Sequence, residues 1–105
     1  MILVDTSVWS DHLRDLEPGL VAVLNEGSVV IHPSIIEELA CGNLPHRKEI
    51  LDLLHALPVA PVAKHAEVLD FIATERLHGT GVGSVDVHLL ASARLAGAKV
   101  WSKDK

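Results

Sequence analysis

The stretch Met1–Trp9, MILVDTSVW, sets the reading of the whole chain. Met1 to Val4 are apolar and read as a short buried strand. The strand runs straight into a carboxylate, Asp5, and then into two hydroxyls, Thr6 and Ser7. A helix is expected from Ser7 to Arg14, with Thr6 or Ser7 as its N-cap. A buried strand followed at once by a helix is the repeating unit of α/β folds, whose ligands bind outside the carboxyl ends of the strands. Asp5 stands at that position.

The same alternation continues outward. Pro18 suits a helix start, with Leu20, Val23 and Leu24 as an apolar face. GSVVIHP, Gly27 to Pro33, reads as a second buried strand. SIIEELACG begins with a capping hydroxyl at Ser34 and ends at Gly42. In HRKEILDLLHAL, residues Ile50, Leu53, Leu54 and Leu57 fall at helical spacing, and VAPV is a weak edge strand broken by Pro61. KHAEVLDFIATERL is an amphipathic helix with Val68, Leu69, Ile72 and Leu77 inward. The glycine loop HGTGVG leads into a helix capped by Ser84 and stopped by Gly97, and AKVWSKDK adds a last strand and a polar tail. The expected fold is three-layer α/β/α around a central parallel sheet, as one domain over residues 1–105.

Composition narrows the function classes. A single cysteine, Cys41, excludes an internal disulfide and a multi-cysteine zinc site; it is expected in or near the core. Met1 is followed by apolar residues and an acid rather than by the basic start of a secretion signal, and no apolar run approaches the ~20 residues of a membrane span. A soluble, cytoplasmic protein is expected. Net charge is −5, from 14 acids against 9 bases, which argues against broad electrostatic binding of nucleic acid. Acids gathered around divalent cations would reverse that argument locally.

Four acids stand out by position: Asp5 after the first strand, Glu38 one turn into the helix after the second, Asp86 at the start of the helix after the glycine loop, and Asp104 after the last strand. Each also has an ordinary reading. Asp5 could cap a helix, Glu38 could lie on a solvated face, Asp86 could complement a helix dipole, and Asp104 could sit in an exposed tail. Together they would bring four carboxylates to one sheet edge, where they repel unless cations neutralise them. Hard oxygen ligands of this kind suit Mg²⁺ or Mn²⁺.

MILVDTSVW, IIEELACGNL and GTGVGSVDVHLLASARLAGAKVWSKDK resemble the successive signatures of PIN-domain ribonucleases, specifically VapC-type toxins, from residue 1 to residue 105. The resemblance implies a metal-dependent endoribonuclease that hydrolyses RNA phosphodiester bonds and is neutralised by a VapB-type antitoxin. It implies an acidic quartet of Asp5, Glu38, Asp86 and Asp104. Glu38 is preferred over Glu37 because the family pattern Glu-Leu-x-x-Gly falls on Glu38, Leu39 and Gly42. Asp5, Asp86 and Asp104 would hold Mg²⁺ or Mn²⁺, and Glu38 would bind the metal or its water. Thr6 or Ser7 would orient a coordinated water, and Ser102 supplies a hydroxyl where the family often has one. Chains of the family usually continue past the last acid into another helix and a short strand, and those elements are expected to be missing here. Asp104 is therefore expected on an unanchored tail and Trp101 without cover, so the chain is expected either to be a trimmed form of a longer one or to cover the edge by self-association into a homodimer. An antitoxin segment is expected over the acidic pocket, with an inserted Arg.

Other features weigh less. The seven histidines lack a His-x-x-x-His pair beside the acids, and His88 points off the metal face. The glycine loop lacks the Gly-Lys-Ser/Thr of a Walker A loop. Trp9 and Trp101 read as packing residues. Arg76, Lys103 or Arg94 could touch an RNA backbone. Two other readings compete: a catalytically inactive RNA- or antitoxin-binding PIN relic, and a receiver-like phospho-acceptor module. The receiver would need a pair of adjacent acids after the first strand, where Asp5 stands alone.

Overall fold

A computed structural model of the chain describes residues 1–103, so Asp104 lies outside the described residues. Three parallel strands, β1 (Ile2–Val4), β2 (Val29–Val30) and β3 (Lys99–Trp101), pair in the order β2-β1-β3. Their register sets Leu3 opposite both Val30 and Val100, and Val4 opposite Trp101. Beyond β2, Ile31 makes one parallel bridge to Val59. Ile31 N–H donates to Pro58 O at 2.9 Å, and Ala60 N–H donates to Ile31 O at 2.8 Å. The expected VAPV strand thus reduces to a single bridged residue, because Pro61 has no N–H to extend the ladder. The second strand is likewise shorter than GSVVIHP, because Pro33 already opens the next helix.

Among the described residues there are also six helices: α1 (Thr6–Arg14), α2 (Pro18–Asn25), α3 (Pro33–Ala40), α4 (Arg47–His55), α5 (His65–Thr74) and α6 (Ser84–Ala96). The chain moves from β1 through β2 to the Val59 bridge in one direction and then crosses back to β3 on the far side of β1. Right-handed crossovers place α1 to α4 on one face of the sheet and α5 and α6 on the other. Contacts follow this division: α1 meets α3, α3 meets α4, and α5 meets α6, which lies on β3. The three-layer α/β/α reading holds.

The caps differ from expectation. Asp5, not Thr6 or Ser7, is the N-cap of α1; His32, not Ser34, caps α3; and Gly83, not Ser84, precedes α6. Gly97 ends α6 at φ 64°, a left-handed turn that glycine enters without a Cβ clash.

The main core joins Leu3, Val4 and Ile31 of the sheet to Val8, Leu20 and Ile35 of the helices, and a smaller cluster of Ala63, Val68, Val87 and Ala91 lies between α5 and α6. Leu69 and Leu53 point outward instead of inward. Cys41 is exposed, contrary to the core position expected of it, because it is the C-cap that follows the last turn of α3. Trp101 is not left uncovered: it is half-buried against α2, where a Cβ on Gly19 would come within 3.2 Å of its ring. Leu3 is fully buried in the central strand. Leu3→Ala should lower unfolding free energy by about 2–5 kcal/mol, read as a reduced midpoint in urea denaturation.

Candidate active site

The central strand delivers Asp5 to the carboxyl edge of the sheet, where its side chain is 7% exposed. Burying a carboxylate is costly unless donors compensate, and three converge here. Ser7 N–H at 3.5 Å, Ser7 Oγ at 2.9 Å and Ser102 Oγ at 3.0 Å all donate to Oδ2 of Asp5. The register explains the last of these. Val4 pairs with Trp101, so the residues that follow, Asp5 and Ser102, leave the sheet side by side, and Asp5 N–H donates to Trp101 O at 2.9 Å. Among the described residues no donor reaches Oδ1 of Asp5, which leaves one oxygen for a ligand.

Asp86 lies in the first turn of α6 and lines a cavity of about 290 Å³ with Asp5, Ser102, Val82, Leu89, Leu90 and Val100. Glu38 reaches the same end of α1 from α3. Its Oε1 accepts from Thr6 Oγ1 at 3.0 Å, and it lines a separate groove of about 390 Å³ with Ser10, Arg14 and Asn43. Thr6 thus spends its hydroxyl proton on the Glu38 carboxylate. Asp5 and Glu38 both gather at the positive N-terminal end of α1, which favours anionic groups. Among the described residues no three His, Cys, Asp or Glu side chains come close enough to share one ion. What the fold brings together is the pair Asp5 and Asp86 on one cavity. Two carboxylates, one with an uncommitted oxygen, form a donor set of the kind Mg²⁺ accepts while keeping several waters.

The PIN domain family model matches residues 2–105. The chain belongs to the PIN-domain family. It is 48% identical over 106 aligned positions to Ribonuclease VapC32 from two strains of Mycobacterium tuberculosis, covering 100% of this chain and 86% of each relative. Its fold matches the crystal structure of FitAcB from Neisseria gonorrhoeae with a TM-score of 0.70, at 22% identity, over 99% of this chain and 88% of that one.

In this PIN domain Lys103, which follows β3, is held against α1, while the tail expected around Asp104 lies outside the described residues. The Lys103 N–H donates to Ser7 Oγ at 3.1 Å and its ammonium to Asp11 at 2.7 Å. Lys103 is thus engaged in an exposed ion pair, as is Arg94, which pairs with Glu75 at 2.5 Å and sits over the Phe71 ring. Sequence reasoning also passed over His32. It is buried, its Nδ1 accepts from Ser34 N–H at 3.0 Å, and its Nε2 has no partner among the described residues. The signal was the order His-Pro-Ser, since a proline at the first helical position makes the residue before it the cap.

Burial holds the His32 imidazole below its ordinary pKa of 6.5; the positive charge on His88 pushes it the same way and Glu37 opposes. The unfolded chain therefore takes up this proton at higher pH than the folded one. Stability is full above the ordinary imidazole range, falls as pH drops from 6.5 toward the lowered folded value, and levels off below it. The melting temperature should be lower at pH 5 than at pH 7, and His32→Asn, which retains a capping side chain, should flatten part of that slope.

Proposed function

We propose that this PIN domain is a VapC-type endoribonuclease toxin that hydrolyses RNA phosphodiester bonds with Mg²⁺ or Mn²⁺ and is neutralised by a VapB-type antitoxin. The likeness over the full chain to relatives named ribonuclease supports the activity. The observation that carries the site is the Asp5–Asp86 pair on one cavity at the carboxyl edge of a parallel sheet. Asp5 and Asp86 are assigned to the ion. Glu38 is assigned to the ion or its water, and Asp104 completes the quartet from outside the described residues. A bound divalent ion supplies an activated water and neutralises charge on the scissile phosphate and the leaving oxygen.

The chain's own residues set the geometry for this. Ser7 and Ser102 both donate to Oδ2 of Asp5 and so restrain its carboxylate. Thr6 holds Glu38 by the oxygen that would otherwise rotate freely. In hydrolysis the water oxygen would join phosphorus and lose a proton, while the bond from phosphorus to the leaving ribose oxygen breaks and that oxygen takes up a proton as a hydroxyl. The overall −5 charge offers no general attraction to the strand, so RNA is held by local contacts at the site. Among the described residues no helix is long and apolar enough to cross a membrane, and a cytoplasmic setting is part of the proposal. A homodimer is proposed as well, supported by the exposed Leu69, Leu90 and Leu95 on α5 and α6.

Cleavage of RNA by the purified chain with Mg²⁺ or Mn²⁺ tests the activity. Asp5→Asn and Asp86→Asn should each slow it by on the order of a hundredfold or more. RNA that is bound but left intact by the unaltered chain under both metals would establish the inactive-relic reading instead. Sizing of the chain alone, and after co-expression with a VapB-type antitoxin, should give a dimer and a larger complex respectively. A monomer that ignores the antitoxin would remove both partners from the reading.

A further inference from the structure

The segment that leaves β3 is fastened to α1 by a continuous set of polar contacts. Lys103 N–H donates to Ser7 Oγ at 3.1 Å, and Ser7 Oγ donates its single proton to Asp5 Oδ2 at 2.9 Å. Because that proton is committed to Asp5, the hydroxyl has only lone pairs to offer Lys103, and the chain of bonds runs one way. Ser102, one residue earlier, donates to the same carboxylate oxygen at 3.0 Å. The Lys103 ammonium closes the arrangement from outside, 2.7 Å from Asp11 Oδ2 on α1 and 3.7 Å from Glu17 Oε2 at the N-cap of α2.

We propose that Lys103 is a positioning residue for the site: its grip on Asp11 and Glu17 locks the exit of β3 onto α1 and so fixes the Ser7 and Ser102 hydroxyls on the Asp5 carboxylate. The proposal rests on the ribonuclease reading for its catalytic consequence and on the contacts above for its geometry. Exposed ion pairs are weak when they stand alone. This one is reinforced because the ammonium spans two acids from two elements while the same residue's backbone N–H reaches a third partner. Arg14 also donates to Asp11, so the carboxylate is held from both sides. The charges record the pairing. The Asp11 carboxyl is held below its ordinary range, first by the hydrogen bond from Lys103 and then by that from Arg14. The Lys103 ammonium is held above its own, first by the bond to Asp11. A cation so committed is not a phosphate ligand, which separates this role from that of a residue gripping RNA.

Four variants of the full chain test the latch: Lys103→Met, which removes the charge and keeps the stem; Lys103→Arg, which restores it; Asp11→Asn; and Asp11→Asn combined with Lys103→Met. The readouts are the affinity for Mg²⁺ or Mn²⁺ by calorimetric titration, kcat and KM for RNA cleavage taken separately, and hydrogen exchange at the Lys103 amide. Lys103→Met should lower kcat and metal affinity by roughly tenfold or more, leave KM unchanged, and speed exchange of its own amide. Lys103→Arg should recover most of each loss, and the Met–Asn double variant should be no worse than the single ones, as expected of residues acting through one contact. A raised KM with unchanged kcat would make Lys103 an RNA ligand and overturn the proposal. So would a lower melting temperature with metal affinity and kcat intact. If the unaltered chain cleaves no RNA, the ribonuclease reading fails, and metal affinity with amide exchange still decides the latch. Unchanged values there would overturn it too.

Discussion

The arrangement depends on one pairing: β1 against β3, parallel and in register, with Val4 beside Trp101. A carboxylate set at the end of a buried strand needs compensating donors. The pairing supplies them, because the residue that follows Trp101 is a serine whose hydroxyl arrives beside Asp5. A slip of one residue would turn every side chain of β3 to the other face and remove Ser102 from the carboxylate. The sheet's register and the site's chemistry are thus a single constraint, and the apolar packing of Leu3 and Val4 enforces both.

Helix α1 is the second shared part. Asp5 is at once its N-cap and the most buried of the described candidate acids. Capping satisfies a backbone N–H that would otherwise be orphaned at the helix start. The same bond, with those of the Ser7 and Ser102 hydroxyls, falls on Oδ2, and among the described residues no donor reaches Oδ1. The structural reading of Asp5 as a cap and the proposed reading of Asp5 as a ligand therefore do not compete, since a ligand would use the other oxygen. Thr6, the next residue, extends the arrangement to Glu38 on α3. Two consecutive hydroxyls after one acid serve two different carboxylates.

On the opposite face of the sheet, α5 and α6 share a small core of their own and leave several leucines in solvent. Asp86 comes from this layer, while Asp5 ends the central strand and Glu38 comes from the other layer. The cavity that joins Asp5 to Asp86 therefore depends on how α6 lies on β3, through Val100, Leu89 and Leu90. Packing of apolar side chains decides how far apart the two carboxylates stand.

The sequence alone determined the alternation of strands and helices, the places of Asp5 after the first strand, Glu38 in the helix after the second and Asp86 in the first turn of the helix after the glycine loop, the stop at Gly97, and a motif pattern specific enough to indicate the family. These are local properties: apolar runs, helical periodicity and turn residues are written within a few positions of one another. Tertiary structure alone decided the rest. It chose Asp5, His32 and Gly83 as caps over the neighbouring hydroxyls, because a cap is settled by where the preceding strand releases the chain. It put Cys41 in solvent, and it covered Trp101 with α2 through the bare backbone of Gly19. It tied Ser102 to Asp5 across 97 positions and Lys103 to Asp11 across 92, partners that no local pattern can name. Such contacts are set by strand register and helix packing, which depend on how distant apolar faces fit together.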